Sequence, residues 1–309
     1  MKKREVEFPS ANPKEMIRAD LFMPDGKGPW PTVIMGGGWC YVKELIMPEY
    51  ADFFVRQGMA ALVFDYRCLG LSDGLPRQHL DPWMQIADYR SAIDAVSFLD
   101  QFKDEVDASR LGIWGISYGG GHVLAVGALD DRVKCIVSQV PAIDGMSIAK
   151  RGHGTTGYRD LMARFAENRK TRYLTGVDGT IPHSGDPKKE LVMLPHPETK
   201  EVFMQIKATT APRHEHWSTI ASGEMFLGYD IRPYLPRIVD TPTLMVVAEG
   251  DDITLWDEEI LAFNQIATTK KKLFVQGATT HMTLYSDMSK VAIAGTEAAN
   301  WCRQWLVEH

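Results

Sequence analysis

Apolar residues fall along this chain in short unbroken runs, rich in β-branched types and ended by turn residues. They are PTVIM at 31–35, AALVFDY at 60–66, RLGIWGI at 110–116, VKCIVSQV at 133–140, TPTLMVVAE at 241–249 and KKLFVQG at 271–277. Continuous rather than alternating hydrophobicity marks strands buried on both faces, the signature of a parallel sheet. Between the runs, PEYADFFVRQG at 48–58, WMQIADYRSAIDAVSFLDQF at 83–102 and GGGHVLAVGALD at 119–130 have the spacing of helices. The rhythm of strand, helix and strand predicts an α/β fold, a mostly parallel central sheet with helices on both faces.

The rhythm stops between 142 and 239, where charges, glycines, prolines and short amphipathic stretches mix without a strand run. Strand signals resume at Thr241. This predicts one core built from 1–141 and 240–309, interrupted at 142–239 by an inserted, mostly helical cap. The last segment, KVAIAGTEAANWCRQWLVEH, predicts a closing helix, and no internal repeat or low-complexity stretch is visible.

With 309 residues, 45% of them apolar and 24% charged, the chain is long enough for a dry, shaped interior. A net charge of −6 argues against nucleic acid or an anionic membrane as partner, because phosphate backbones select a basic surface. The basic start MKKREVEFPS is not followed by an apolar stretch, and no run approaches the roughly 20 apolar residues of a membrane span, so the expectation is a cytoplasmic protein. Its four cysteines, Cys40, Cys68, Cys135 and Cys302, form no CxxC pair; free, mostly buried thiols are expected.

The sharpest chemical signal is Gly115-Ile116-Ser117-Tyr118-Gly119, between the run RLGIWGI and a helix-like segment. A strand, tight turn and helix with small flanking residues hold a serine in a strained backbone conformation with Oγ exposed. A serine hydroxyl needs a base, and the base a carboxylate to orient it. In the chain order of such folds, Ser, acid and then His, an acid near 250 leaves only His281 in GATTHMTLY and the terminal His309. His281 is preferred, since a chain end frays. For the acid, the loop Gly250-Asp251-Asp252-Ile253-Thr254 offers two adjacent aspartates. Asp251 is favoured and Asp252 is the alternative, one reaching His281 while the other caps the turn or the helix starting near Trp256. Asp257 reads as first-turn helix charge. An oxyanion needs two backbone donors: Tyr118 N–H follows the nucleophile, and Trp39 N–H follows Gly36-Gly37-Gly38. A phosphate cradle is a poorer reading of the triple glycine, because neither GK[ST] nor GxGxxG spacing is present.

Taken together, GGGWCYVKELIMPEYADFF, the stretch from AALVFDY to SAIDAV, RLGIWGISYGGGHVLAVGALDDRVKCIVSQVP, YLPRIVDTPTLMVVAEGDD and ATTHMTLY resemble the α/β-hydrolase superfamily over nearly the whole chain. The nearest pattern is the dienelactone-hydrolase-like group that includes polyketide transferase-type proteins. The resemblance implies an α/β-hydrolase fold, a triad of Ser117, Asp251 and His281, and an oxyanion hole of Trp39 and Tyr118. Gly37 stands where relatives carry histidine, and Ser117 where dienelactone hydrolase itself has cysteine.

Weaker signals have blander readings. His214 and His216 are two histidines where a catalytic zinc takes three protein ligands, so cap surface or pocket wall is the reading, and neither metal nor organic cofactor is expected. His122 reads as a satisfied core residue, Lys43 and Glu44 as pairing with neighbours to fix the oxyanion loop. Phe203, Trp217, Phe226 and Tyr229 either line an acyl pocket or form the cap's own core. The expected activity is hydrolysis of a carboxylic ester, lactone or thioester of a small to medium apolar molecule through an acyl-enzyme. Acyl transfer of polyketide-transferase type is the alternative, ahead of a non-catalytic binding protein. A peptidase is disfavoured because no propeller or jelly-roll domain fits this length. Oligomeric state, a homodimer included, is left open.

Overall fold

The basic N-terminal stretch is a strand. In the computed structural model, which describes residues 1–308, β1 (Lys2–Pro9) pairs antiparallel with β2 (Met16–Met23). Along β1 only Val6 and Phe8 are buried, while Lys2, Lys3, Glu5 and Glu7 are exposed. That is period-two alternation, so a search for continuous apolar runs passes over it. The charges sit on a sheet edge, where they discourage pairing with another chain.

The remaining strands are β3 (Trp30–Gly36), β4 (Ala60–Phe64), β5 (Val106–Ile116), β6 (Val133–Gln139), β7 (Thr180–Pro182), β8 (Trp217–Thr219), β9 (Thr243–Ala248) and β10 (Lys271–Gln276). Eight of the ten strands among the described residues form one sheet in the order β1-β2-β4-β3-β5-β6-β9-β10, parallel from β4 through β10; β7 and β8 form a separate antiparallel ribbon. All six continuous runs are strands, and β4 and β9 are buried at every position, as central parallel strands should be.

The helices are α1 (Met47–Arg56), α2 (Pro82–Phe98), α3 (Tyr118–Leu129), α4 (Gly145–Thr175), α5 (Pro197–Thr209), α6 (Ile220–Leu227), α7 (Trp256–Gln265), the single turn α8 (Thr283–Ser286) and α9 (Met288–Leu306). Asp81 starts α2 by accepting from Trp83 and Met84 N–H ahead of Pro82, whose missing N–H costs nothing in a first turn. Successive residues of β5 show how the two layers form. Gly112 faces Leu306 of α9, while Ile113 faces Gly127 of α3. Thus α1 and α9 pack together on one face, α2 and α3 on the other. The closing helix ends at Leu306, and His309 lies outside the described residues.

Between β6 and β9 the chain is mostly helical. α4 changes direction at Gly154, whose φ of 63° is not helical, and packs on α6; the ribbon of β7 and β8 is the added feature the sequence pattern did not suggest. Both of its strands are three residues long, too short for a periodicity to register. All four cysteines are free and buried. None of the described helices is long and apolar enough to cross a membrane.

Candidate active site

The turn from β5 into α3 puts Ser117 at φ 59°, ψ −121°. An L-residue pays on the order of 1–3 kcal/mol for so sparsely populated a region. It is held there by its backbone: Ser117 N–H donates to Gln139 C=O at 2.9 Å, and its own carbonyl accepts from Ala142 N–H at 3.0 Å. The flanking glycines are demanded by contact. A Cβ on Gly115 would lie 2.1 Å from the Gly119 carbonyl oxygen, and one on Gly119 2.4 Å from that of Gly37.

The loop after β3 crosses directly over this turn. A Cβ on Gly38 would sit 2.9 Å from the Ser117 Cβ, so only glycine lets the backbone come so close to the hydroxyl. Neither Trp39 N–H nor Tyr118 N–H donates to another group among the described residues. Gly37 has its own cause: its side-chain space is filled by the Tyr41 ring, 2.1 Å from where a Cβ would stand. The loop is anchored beneath by Lys43, whose Nζ lies 2.8 Å from Asp20 Oδ2 with both side chains 5% exposed, and whose N–H donates to Asp65 Oδ1. Glu44 pairs with Arg213.

Asp251 and His281 come together from the loops after β9 and β10. His281 Nδ1 donates to Asp251 Oδ2 at 2.7 Å, and both residues are buried. Asp251 Oδ1 accepts from Ile253 N–H and Thr254 N–H, and Oδ2 also accepts from Thr254 Oγ1. Burial alone would raise the pKa of this carboxyl, but the His281 ring and the hydrogen bonds outweigh it and hold the group below its usual range. Asp252, the alternative, is exposed, and helix α7 begins after Leu255 without a side-chain cap. The expected division of labour between the two aspartates therefore fails; Asp251 both reaches His281 and closes the turn. Asp257 lies in the first turn of α7, paired with Arg151.

Ser117 and His281 line one cavity but are not hydrogen-bonded to each other. His281 Nε2 instead faces the Tyr285 hydroxyl at 3.4 Å, with the two rings stacked. Burial pushes the Tyr285 phenol well up, so it stays protonated and donates to the Nε2 lone pair. Sequence reasoning missed Tyr285. The available signal was its i+4 position after His281, which the single-turn helix α8 folds back over the ring.

Two cavities of about 20 Å³ meet at Ser117, each with room for a single water. Ile148, Met193 and Phe226 make one apolar; the other holds His281, Tyr285, Thr199 and Phe203. Of the four aromatics flagged between β6 and β9, Phe203 and Phe226 line cavities, Tyr229 is interior, and Trp217 belongs to β8.

His122 is a satisfied core residue: Nδ1 meets Tyr229 OH at 3.0 Å and Nε2 meets Gln85 Oε1 at 2.9 Å. Burial lowers its pKa to about 3. The unfolded chain therefore binds a proton below about pH 6.5 that the folded chain refuses, and stability falls as pH drops through that value. At pH 5 the loss from this residue is about 2 kcal/mol. Urea unfolding at pH 7 and pH 5 checks it: His122→Gln should lose about that much less than the parent between the two pH values.

Of this pair, His214 is fully buried and so is not cap surface, while His216 is half-buried. His214 Nδ1 lies 3.0 Å from Cys40 C=O, its Nε2 3.1 Å from His216 Nδ1, and His216 Nε2 2.9 Å from Ser184 Oγ. Burial, above all, lowers the two pKa values, to about 3 and about 4. A third histidine, His183, joins them. It stands 31 residues before His214 in PHSGD, and nothing in the sequence ties it to the other pair.

A model of the X-Pro dipeptidyl-peptidase (S15 family) matches residues 15–283. An acyltransferase, drtE, of Aspergillus calidoustus is 26% identical over 88% of this chain and 86% of its own length. A thiohydrolase of Eupenicillium brefeldianum is 27% identical over 84% and 82%. The solved structure of DcsB in complex with its substrate analogue superposes with a TM-score of 0.83 at 24% identity, covering 99% of both chains. The fold is that of the α/β hydrolases, and the chain belongs to the S15 family within them.

Proposed function

We propose that this protein is a serine-nucleophile acyl hydrolase acting on a carboxylic ester, lactone or thioester, with Ser117, His281 and Asp251 as its triad. The observation that carries the reading is the buried Asp251–His281 hydrogen bond opening onto the same cavity as a serine held at φ 59°. Asp251 fixes the Nδ1–H tautomer, leaving the Nε2 lone pair as the base. Ser117 Oγ takes the place of the Tyr285 hydroxyl on Nε2, loses its proton to it and bonds to the substrate carbonyl carbon. The carbonyl oxygen becomes an oxyanion and accepts from Trp39 and Tyr118 N–H. Collapse breaks the bond to the leaving group, which departs with the proton from His281. Water then attacks the acyl-serine and gives a proton to His281; collapse breaks the bond to Ser117 Oγ, which takes that proton back from His281 as the acid leaves.

Both cavities have to widen around a substrate: Ile148, Met193 and Phe226 would move aside for the acyl chain, and the side holding His281 would take the leaving group and then the incoming water. Neither presents a free carboxylate to the ammonium of a peptide N-terminus, so dipeptide release is not the activity we propose. Acyl transfer to an alcohol or thiol is the second reading. The observation favouring it is the size of the cavities, since a site that excludes bulk water lets a bound acceptor compete for the acyl-enzyme. Names of relatives, a thiohydrolase and an acyltransferase, support both.

Rapid mixing with p-nitrophenyl butyrate tests the proposal. One equivalent of p-nitrophenol released in a burst, followed by steady turnover, is the expected result. A burst that then stalls selects the transferase reading, and no release at this or a shorter ester contradicts both.

A further inference from the structure

We propose that His183, His214 and His216 form a site for one divalent transition-metal ion of the zinc class. One ring nitrogen from each of the three lies within 4.8 Å of those of the others. The fold brings them together through the ribbon. Pro182 of β7 pairs with Trp217 of β8, and one step further His183 N–H donates to the His216 carbonyl at 3.0 Å, which makes these two cross-strand neighbours. His214, two residues before His216, returns to the same cluster. The sequence objection to a metal was a missing third ligand, and this register supplies it.

The hydrogen bonds around the cluster orient two of the rings as ligands. His214 Nδ1–H donates to Cys40 C=O, so its Nε2 carries a lone pair pointing at His216. If the His216 proton sits on Nε2, donating to Ser184 Oγ, its Nδ1 lone pair points back. Such outer bonds to a carbonyl and a hydroxyl fix the tautomer and aim of metal-binding imidazoles. Without an ion, a chain from Ser184 through His216 and His214 to Cys40 satisfies those two rings. It leaves His183 out: Nδ1 of that ring is buried with no hydrogen-bond partner, in a residue only 2% exposed. A cation shared by all three accounts for what the chain of hydrogen bonds does not.

Three imidazoles and an open fourth position suit zinc, whose bonds to nitrogen of about 2.0–2.1 Å need ligand atoms roughly 3.3 Å apart. The His214–His216 pair is already at 3.1 Å, and His183 closes the remaining gap by a small ring movement. His216 is only partly buried, which gives the ion a way in. Through His214 and Cys40 the bound ion would tie the ribbon to the loop that carries Trp39. His183 also lines the cavity that holds Ser117 and His281, so the ion would sit beside that cavity, and its binding is read from the metal itself without turnover.

The test uses the full chain without an affinity tag, stripped with chelator and desalted. Zn²⁺ retained after gel filtration is counted by elemental analysis, and Co²⁺ is followed by its visible absorption. One equivalent of either ion is expected, with the intense bands of a four- or five-coordinate cobalt. His183→Ala and His214→Ala should each weaken binding on the order of 100-fold or more, while His153→Ala should not. Circular dichroism checks that the variants fold, and if they do not, the wild-type stoichiometry and cobalt spectrum decide alone. Well under one equivalent, a six-coordinate spectrum, or binding unchanged in folded His183→Ala overturns the proposal.

Discussion

Ser117→Ala lowers kcat for a short-chain p-nitrophenyl ester on the order of 10⁶-fold while leaving the unfolding free energy within about 0.5 kcal/mol of the parent. The two halves have separate causes. Ser117 Oγ donates to and accepts from no group among the described residues, so its removal breaks no hydrogen bond. The turn itself is held by backbone contacts with Gln139, Ala142 and Gly121, which alanine keeps. Chemically, alanine removes the atom that forms the acyl bond, and only the oxyanion donors remain, worth a residual 10³–10⁴ over water in other triads. Steady-state rates with urea melts on the same preparation check both halves. A variant within tenfold of the parent would remove Ser117 from the mechanism.

Asp251→Asn should cost on the order of 10⁴-fold in kcat and also destabilise the fold. The carboxylate accepts from two backbone N–H groups, the Thr254 hydroxyl and His281 Nδ1. An amide has one oxygen for this work. If it keeps the backbone donors, its NH₂ faces the His281 ring, which must then turn a lone pair to Nδ1 and carry its proton on Nε2. That tautomer cannot take a proton from Ser117. The stability effect has a defined sign. The folded pKa of Asp251 lies below the usual carboxylate value, so its stabilisation is complete above about pH 4 and is lost as pH falls through the depressed value. Wild type and variant should therefore differ by roughly 1–3 kcal/mol at pH 7 and converge in acid, as followed by urea unfolding across pH.

The central strands and the serine turn are legible in the sequence because local chemistry dictates them. A parallel strand buried on both faces has to be apolar throughout, and a turn as tight as that at Ser117 has to have glycine at 115 and 119. Features set by longer-range contact leave a fainter trace. β1 alternates because it is the edge of the sheet, and β2, inside it, is buried from Ala19 to Met23 although Arg18 and Asp20 interrupt its apolar residues. The choice between Asp251 and Asp252 depends on which carboxylate the loop turns inward, a difference of one residue with no compositional signal. Gly37 departs from the histidine that the family resemblance implies, and Tyr41, four residues on, has its ring in the space a side chain there would need. His183 meets His216 only through the register of a ribbon three residues long. Tyr285 is within reach of helical spacing, but only once the four-residue helix that carries it is recognised.

The mass of the intact protein after exposure to an alkyl fluorophosphonate, followed by peptide mapping, tests the triad most directly. The mechanism predicts one adduct per chain, on the peptide containing Ser117, absent from Ser117→Ala and slowed in Asp251→Asn. An unlabelled protein at reagent concentrations that saturate a serine hydrolase, or an adduct mapped to any other residue, would contradict it.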